Sequence, residues 1–215
     1  FDELVLGTWQ EGILVYRNRG GSAQGSNRWD DEPMARLELT RGSNATPALA
    51  DLDGDGDLDL VAGESSGEVN LWRNEGSGDA TAFRLVTDRL EGIDAGRRSR
   101  PTVHDWDGDG RADLVLGSES AGITLWRNVS RSGEIRFESA GMLLAEAPTF
   151  AAPAAADADG DGDLDSLPIC CDLSDPNLYT YGDQWGEALK SMAQSHGHNP
   201  YTLYEKLGVV HPTTP

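Results

Sequence analysis

Short apolar segments and polar turns alternate along most of the chain, and the same arrangement recurs. Residues 60–74 (LVAGESSGEVNLWRN) align with residues 114–128 (LVLGSESAGITLWRN) and with residues 4–18 (LVLGTWQEGILVYRN). In each copy an apolar run ending in glycine is followed by a polar turn and a second run, which alternates apolar and polar positions in EVNLW and GITLW. This pattern predicts two short β-strands joined by a turn in every copy.

The regions between these copies repeat as well. An acidic stretch begins at Asp51 (DLDGDGDLD), at Asp105 (DWDGDGRAD) and at Asp157 (DADGDGDLD), and a small apolar segment containing proline precedes each one. An aromatic residue follows the second run of each copy, at positions 29, 83 and 137. Four short strands in a unit of about 50 residues are typical of a β-propeller blade. We therefore predict an all-β fold of four-stranded antiparallel blades over residues 1–165.

Both ends of this array depart from the repeat. The first copy begins at Phe1, without a first strand or an acidic loop, and the last stops after its acidic loop, since SLPICC follows where LVxG is expected. Two arrangements are open: the chain's ends complete one blade, or the array is a fragment or a ring completed by other copies. Three repeats are few for a closed ring, which favours the second arrangement.

The composition changes abruptly at residue 166. Both lysines, both cysteines and three of the four histidines lie in residues 166–215. We predict a separate, small helical appendage there, with helices over about 183–195 and 200–208. A helical packing hairpin is favoured over a DNA-binding one because residues 183–209 lack a basic face.

The charge balance restricts the partners. The chain carries 37 acidic and 17 basic residues, a net charge of −20, so nucleic-acid phosphates would be repelled and cations attracted. No apolar run approaches the roughly 18–20 residues that a transmembrane helix needs. We expect neither a nucleic-acid partner nor a transmembrane segment.

The acidic loops all fit the pattern D-x-D-x-D-G-x-x-D, which predicts a hard-cation site. Calcium takes six to eight oxygen ligands at about 2.3–2.6 Å, and a tight glycine-containing turn brings many oxygens together. We predict side-chain ligands at positions 1, 3, 5 and 9 and a backbone carbonyl at position 7, because the second loop has arginine there. The predicted ligand sets are Asp51, Asp53, Asp55, Asp57 and Asp59 in the first loop; Asp105, Asp107, Asp109, Arg111 and Asp113 in the second; and Asp157, Asp159, Asp161, Asp163 and Asp165 in the third.

The alternative is a set of solvated acidic turns without metal, which three copies in register disfavour. Position 12 holds no glutamate, unlike an EF-hand, so each loop should lead into a strand. Since each loop by itself offers a nearly complete ligand set, we expect about three calcium ions that stabilise the fold rather than act in catalysis.

The acidic motif followed by LVxG and LWRN resembles the FG-GAP/VCBS repeats of integrin-α-type propellers and of many bacterial secreted proteins. The resemblance covers residues 1–165. It implies a calcium-bearing propeller blade in an extracellular, cell-surface or periplasmic protein that recognises or adheres to something. The partner would be a protein or glycan ligand, or other subunits of an assembly.

The remaining candidate residues bear on what is recognised. Trp9 occupies a position that is Ser65 and Glu119 in the other copies, so we predict that it contacts a ligand, with a packing role as an equal alternative. Trp72 and Trp126 recur in register, which favours packing between blades. The chain contains no nucleophile elbow, phosphate loop or zinc-protease motif.

We therefore expect a non-catalytic extracellular module, stabilised by calcium, for recognition, adhesion or assembly. The alternative is a carbohydrate-binding lectin or the propeller domain of a secreted polysaccharide lyase or hydrolase.

Overall fold

The computed structural model of the chain describes residues 3–19, 29–76, 81–119, 122–131, 133–144, 151–156 and 165–170. Every regular element in these ranges is a β-strand, which confirms the all-β prediction for the described part of the chain. The strands are β1 (Leu4–Gly7), β2 (Ile13–Tyr16), β3 (Ala35–Leu37), β4 (Thr46–Ala50), β5 (Asp59–Gly63), β6 (Val69–Asn74), β7 (Phe83–Thr87), β8 (Arg100–His104), β9 (Asp113–Gly117), β10 (Ile123–Asn128), β11 (Phe137–Leu144), β12 (Ala151–Ala156) and β13 (Asp165–Cys170).

The strands form antiparallel sheets in sequence order. β4–β7 and β8–β11 are four-stranded sheets, and β1–β3 form a three-stranded sheet that begins at the second strand of the repeat. The predicted unit of four antiparallel strands is thus confirmed in the two complete repeats. Closure of the sheets into a ring stays a prediction.

The end of the array differs from expectation. The sequence predicts that the last copy stops after its acidic loop, but β13 pairs with β12 in a two-stranded sheet. Strand pairing needs only backbone N–H and C=O groups, and Pro168, which lacks an N–H, is tolerated in an edge strand. Departure from the LVxG motif therefore did not prevent a second strand.

The chain consists of two compact units, Phe1–Pro153 and Ala154–Pro215. The predicted helices over 183–195 and 200–208 lie outside the described residues, so the helical appendage and its boundary at residue 166 stay predictions.

The central strand β5 is buried along its whole length and serves two separate cores. Val61 lies in a cluster with Leu114 of the third sheet, whereas Leu60 and Trp72 lie in a cluster with Ile13 of the first sheet. Successive side chains of a strand point to opposite faces, so the middle sheet buries one face against each neighbour. This explains why its apolar run is nearly continuous, and it places Trp72 in the packing between sheets.

Consecutive sheets are joined by one contact that occurs three times. The glycine ending each LVxG segment lies against the start of the next sheet, where a Cβ atom would overlap a backbone carbonyl oxygen and lie 2.6–2.7 Å from a proline Cδ. The glycines are Gly7, Gly63 and Gly117, and the prolines facing them are Pro47, Pro101 and Pro153. Only a residue without a side chain fits there. The recurrent glycine and the recurrent proline therefore pack against each other between consecutive sheets, and we call this contact the glycine–proline joint.

A backbone hydrogen bond accompanies each joint. The residue after the glycine accepts from the residue two positions before the proline. The three bonds run from Ala45 N to Thr8 O (2.9 Å), from Ser99 N to Glu64 O (3.0 Å) and from Ala151 N to Ser118 O (3.1 Å).

Candidate metal centres

The first acidic loop connects β4 to β5 and folds around the carboxylate of Asp51. The N–H of Gly54 donates to Asp51 Oδ1 (2.8 Å) and the N–H of Gly56 donates to Asp51 Oδ2 (3.0 Å). Both glycines have a positive φ, 80° and 95°, a conformation that side chains disfavour. The turn that the sequence predicts from Gly56 is therefore present.

This turn brings three of the predicted ligands together. Carboxylate oxygens of Asp51, Asp53 and Asp59 lie within 4.8 Å of one another. The side chain of Asp55 does not belong to this group and instead accepts from the N–H of Asp57 (2.9 Å). The first loop thus clusters positions 1, 3 and 9 of the motif.

Asp59 is completely buried and connects three parts of the sheet. Its Oδ2 accepts from the N–H of Leu52 in the loop (3.2 Å), and its Oδ1 accepts from the N–H of Asn74 at the end of β6 (2.9 Å). Burial, and to a smaller extent the charges of Asp53 and Asp55, raise the pKa of Asp59 to about 6, against the opposing effect of these two hydrogen bonds. The site therefore carries negative charge that a bound cation would stabilise.

The second acidic loop connects β8 to β9 and has the same turn. Asp105 accepts from the N–H groups of Gly108 (2.9 Å) and Gly110 (2.8 Å). Its cluster of mutually close carboxylates is different, since it joins Asp105, Asp107 and Asp109, positions 1, 3 and 5. Asp113 at position 9 is buried, as Asp59 is.

Two arginines enter the second loop. Arg127 Nη1 lies 2.8 Å from Asp107 Oδ2 and 3.0 Å from Asp113 Oδ2. Arg111 pairs with Asp109, and its Nε donates to the carbonyl of Asn128 (2.7 Å). The sequence assigned only a backbone role to Arg111, but its side chain also neutralises a predicted ligand.

The Arg-Asn pair that ends the third strand of each complete repeat belongs to the loop. Arg73 Nε lies 3.0 Å from Asp53 Oδ2, as Arg127 lies against Asp107. Asn74 and Asn128 donate their backbone N–H groups to the buried aspartate at position 9. From the sequence alone, this repeated Arg-Asn pair is expected only to fix a turn. Their recurrence together with the acidic motif was the available signal for this role.

One side chain links consecutive loops. Asn128 Nδ2 donates to the carbonyl of Leu52 in the first loop (3.1 Å) and to that of Ala112 in the second (3.0 Å). The two loops thus share a hydrogen-bond donor that lies between neighbouring sheets.

The third loop lies mostly outside the described residues. Asp157, Asp159, Asp161 and Asp163 are not described, and Asp165 is the first residue of β13. The third metal site stays a prediction.

The donor chemistry of the first loop fits calcium. All of its clustered donors are carboxylate oxygens, which a hard cation prefers, and an oxygen that accepts one N–H retains a second lone pair. Asp51, Asp53 and Asp59 would hold the ion, which would supply positive charge to the turn. In the second loop the ion would compete with Arg111 and Arg127 for Asp107 and Asp109.

Trp9 lies in the turn between β1 and β2, and 60% of its surface is exposed. Its carbonyl accepts from the N–H of Asn44 (2.9 Å). The residue that follows it lines a cleft of about 520 Å³, whose other walls are residues 11–12, Arg36, Glu38, Leu39, Gly42 and Ser43. Trp9 itself is not among the residues that line this cleft, so its predicted ligand contact stays a prediction.

Comparison with known families identifies the repeat. The family model described as FG-GAP-like repeat matches residues 51–116 and residues 105–167. Because these matches together cover more than half of the 215 residues, the chain belongs to the family of proteins with FG-GAP-like repeats, which confirms the resemblance seen in the sequence. No curated protein matches the chain.

Membership in this family indicates a β-propeller-type module for recognition or adhesion. Among the described residues, no helix is both long and apolar enough to cross a membrane.

Proposed function

We propose that the chain is an extracellular, calcium-stabilised and non-catalytic recognition module. The observation that carries this proposal is the cluster of Asp51, Asp53 and Asp59, whose carboxylates converge in a turn with which, among the described residues, one arginine, Arg73, is paired. A divalent cation held there would balance charges that otherwise repel one another.

Calcium at this site would stabilise the sheet as well as the loop. Asp59 connects the loop to the end of β6 through its two hydrogen bonds. An ion bound to Asp59 therefore reinforces the connection between β4, β5 and β6. Since the unfolded chain cannot present these oxygens together, binding free energy becomes folding free energy.

The exposure of the loop supports an extracellular setting. Gly54, Asp55 and Gly56 are exposed, so the site is not a closed cage. Calcium sites in extracellular modules bind with Kd values of about 10⁻⁴–10⁻³ M, far weaker than cytosolic buffers. A site of this class is filled outside the cytosol, as the family relationship also suggests.

The use of the carboxylates supports a non-catalytic role. In both described loops the carboxylates accept backbone N–H groups or pair with arginine, which commits them to the turn. The second candidate, a carbohydrate-binding lectin or the propeller of a polysaccharide lyase or hydrolase, is favoured by one observation, the exposed side chain of Trp9 in the turn between β1 and β2.

We also infer that residues 1–165 form blades of a propeller ring and that residues 166–215 form a separate helical appendage. The threefold glycine–proline joint supports this, since it stacks successive sheets in the same way. Limited proteolysis should cut first just beyond β13 (Asp165–Cys170), and the released fragment should be helical by circular dichroism. Cleavage within the sheets first would contradict the proposed boundary.

The calcium proposal is tested by calorimetric titration and thermal unfolding of the full chain. Calcium at about 100 times its Kd contributes about 2.7 kcal/mol per site, so chelation should lower Tm by about 5–10 °C for each site that it empties. The D51N/D53N double variant should lose part of this shift, and Glu91→Gln, at an exposed position outside the loops, should keep it. Absence of binding heat together with an unchanged Tm would overturn the proposal.

A further inference from the structure

A continuous set of hydrogen bonds connects the two described acidic loops. Leu52 donates its backbone N–H to Asp59 Oδ2 (3.2 Å), and the carbonyl of Leu52 accepts from Asn128 Nδ2 (3.1 Å). The backbone N–H of Asn128 in turn donates to Asp113 Oδ1 (2.8 Å). Since Asp59 and Asp113 occupy position 9 of their motifs, Leu52 and Asn128 connect the buried aspartate of one loop to that of the next.

All four residues of this connection are buried. Their exposed fractions lie between 0% and 2%, so these hydrogen bonds are shielded from competing water. Hydrogen bonds in such surroundings are electrostatically stronger than in water, and those that form a chain polarise one another. A change at one bond of the set therefore affects its neighbours.

The connection ends on ligand-bearing segments in both loops. Leu52 stands at position 2 of the first loop, between two aspartates of the first carboxylate cluster. Asp113 accepts from the N–H of Trp106 (3.2 Å), which stands at position 2 of the second loop, between two aspartates of the second cluster. Asn128 also donates to the carbonyl of Ala112 (3.0 Å), next to Asp113. The position of Leu52 in one loop is thus connected with that of Trp106 in the other.

We propose that Asn128 couples the calcium occupancy of the two loops, so that an ion in either loop raises the affinity of the other. The inference rests on the proposed calcium-stabilised function and adds its regulation. With the first cluster engaged by an ion, the Leu52 peptide is held in place, because both neighbours of Leu52 and its hydrogen-bond acceptor are then ligands. Asn128 is thereby fixed before the second loop binds, and a pre-organised loop binds more tightly.

Asn74, at the same position of the preceding repeat, provides a matched comparison. Both asparagines donate the backbone N–H to the position-9 aspartate of their own sheet. The side-chain oxygen of Asn74 accepts from Gly76 (3.1 Å) and Ala82 (2.9 Å) in the connection between β6 and β7, whereas the amide nitrogen of Asn128 reaches the loop of a neighbouring sheet. Replacing Asn74 should therefore leave the connection between the two loops intact.

Direct electrostatics between the loops oppose this coupling, since calcium in one loop reduces the negative charge that attracts calcium to the other. The D51N/D53N variant removes this effect from the comparison. Its empty first loop, with three aspartates and Arg73, has a formal charge of −2, and so has the wild-type first loop with five aspartates, Arg73 and one calcium ion. A difference in second-loop affinity between these two forms therefore reports the structural connection.

Backbone amides allow each loop of the full chain to be titrated separately. The N–H groups of Gly54 and Gly108 donate to the position-1 aspartate of their own loops, so their nuclear magnetic resonance shifts report calcium in the first and the second loop respectively. Titration with calcium then gives an apparent Kd for each loop. Thermal unfolding of the same samples, in calcium and in chelator, gives the calcium-dependent rise in Tm.

We expect the apparent Kd of the second loop to be about three- to tenfold lower with the wild-type first loop than with D51N/D53N. Because coupling is reciprocal, D105N/D107N should raise the apparent Kd of the first loop by the same factor. This second variant is also charge-matched, since its formal charge of zero equals that of the calcium-filled second loop.

The asparagine variants test which residue carries the coupling. Asn128→Ala should abolish both differences in Kd, and Asn74→Ala should preserve them. Asn128→Asp keeps an oxygen that can accept from the N–H of Ser130, as Asn128 does (2.9 Å), but lacks the amide donor. It should therefore abolish the differences as Asn128→Ala does.

Three results would overturn the inference: the second loop has the same apparent Kd in the wild-type and D51N/D53N chains, the difference persists in the Asn128 variants, or Asn74→Ala abolishes it as completely. The calcium-dependent rise in Tm separates this failure from failure of the proposed function. A chain that shows the rise without the coupling remains a calcium-stabilised module whose sites act independently, whereas absence of both binding and the rise overturns the two proposals together.

Discussion

The first and second acidic loops share one motif but balance their charge differently. The first holds five aspartates, and among the described residues one guanidinium pairs with it, from Arg73. The second holds four aspartates and pairs with two, from Arg111 and Arg127. The same pattern of carboxylates therefore produces one loop with more uncompensated negative charge, which a bound cation would balance, and one that is partly neutralised by the protein.

The sharpest contrast lies at position 9 of the motif. Asp113 accepts from the N–H groups of Trp106 and Asn128 and also pairs with Arg127. Asp59 accepts two equivalent N–H groups, but Arg73 pairs with Asp53. We thus expect these two buried aspartates to respond differently when their charge is removed.

We predict the largest effect on the free energy of unfolding when the charge of Asp113 is removed in the absence of calcium. Asp113→Asn should lower the free energy of unfolding by about 2–3 kcal/mol, because it breaks a hydrogen-bonded pair with Arg127. Asp59→Asn should lower it by about 1 kcal/mol at most, since loss of one hydrogen bond is offset by relief of repulsion from Asp53. Urea unfolding in chelator measures both variants. Equal losses would remove the distinction between the loops.

The pH dependence of the calcium-free protein tests the first loop alone. Because the pKa of Asp59 is raised in the fold to about 6 from 3.8, the folded state binds the proton more tightly than the unfolded state. This contribution to stability is fully present below about pH 4 and is lost as the pH rises through 6.

We expect this titration to account for about 2 kcal/mol of unfolding free energy between pH 4 and pH 7. Asp59→Asn should lack this component, and saturating calcium should suppress it by favouring the carboxylate. An identical pH profile for the wild-type and Asp59→Asn proteins in chelator would contradict the prediction.

The smallest predicted effect is a change in the calcium affinity of the second loop when Arg111 is replaced. Arg111→Ala removes the guanidinium that pairs with Asp109 and leaves the backbone carbonyl at position 7 in place. Calcium affinity there should increase about three- to tenfold, equivalent to about 0.6–1.4 kcal/mol. Calorimetry should use the D51N/D53N background, in which the first loop is impaired. Arg131→Ala, which changes an exposed arginine outside the loop, is the charge-matched control, and an equal gain there would indicate a non-specific effect.

The sequence predicted the strands and the turns because both depend on local chemistry. Apolar periodicity located β5 and β9, and the glycine at position 6 of the motif located the turn. Clustering of Asp51, Asp53 and Asp59 follows from the same local geometry. These features recur in register, so each copy supported the assignment of the others.

Features that depend on distant residues could not be predicted in this way. Arg127 lies against Asp107, 20 positions earlier in sequence, and Arg73 lies against Asp53 at the same spacing, but only the folded sheet shows that residues so far apart meet. The exclusion of Asp55 from the first cluster depends on which carboxylates the turn directs inward. The cleft of about 520 Å³ combines a turn at residues 10–12 with walls at residues 36–43, which no motif joins.

The glycine–proline joint has a consequence for how such an array can change. At each joint the glycine packs against a backbone carbonyl oxygen and a proline ring, so no other residue can replace the glycine. The joint places no constraint on the turns elsewhere in the unit. The same joint can therefore recur in every unit, provided that the apolar faces between the sheets also match, and the turns outside the joint can differ, as Trp9 differs from Ser65 and Glu119. The glycine and proline of each joint must therefore stay constant, whereas the turns outside the joint are free to acquire new specificity.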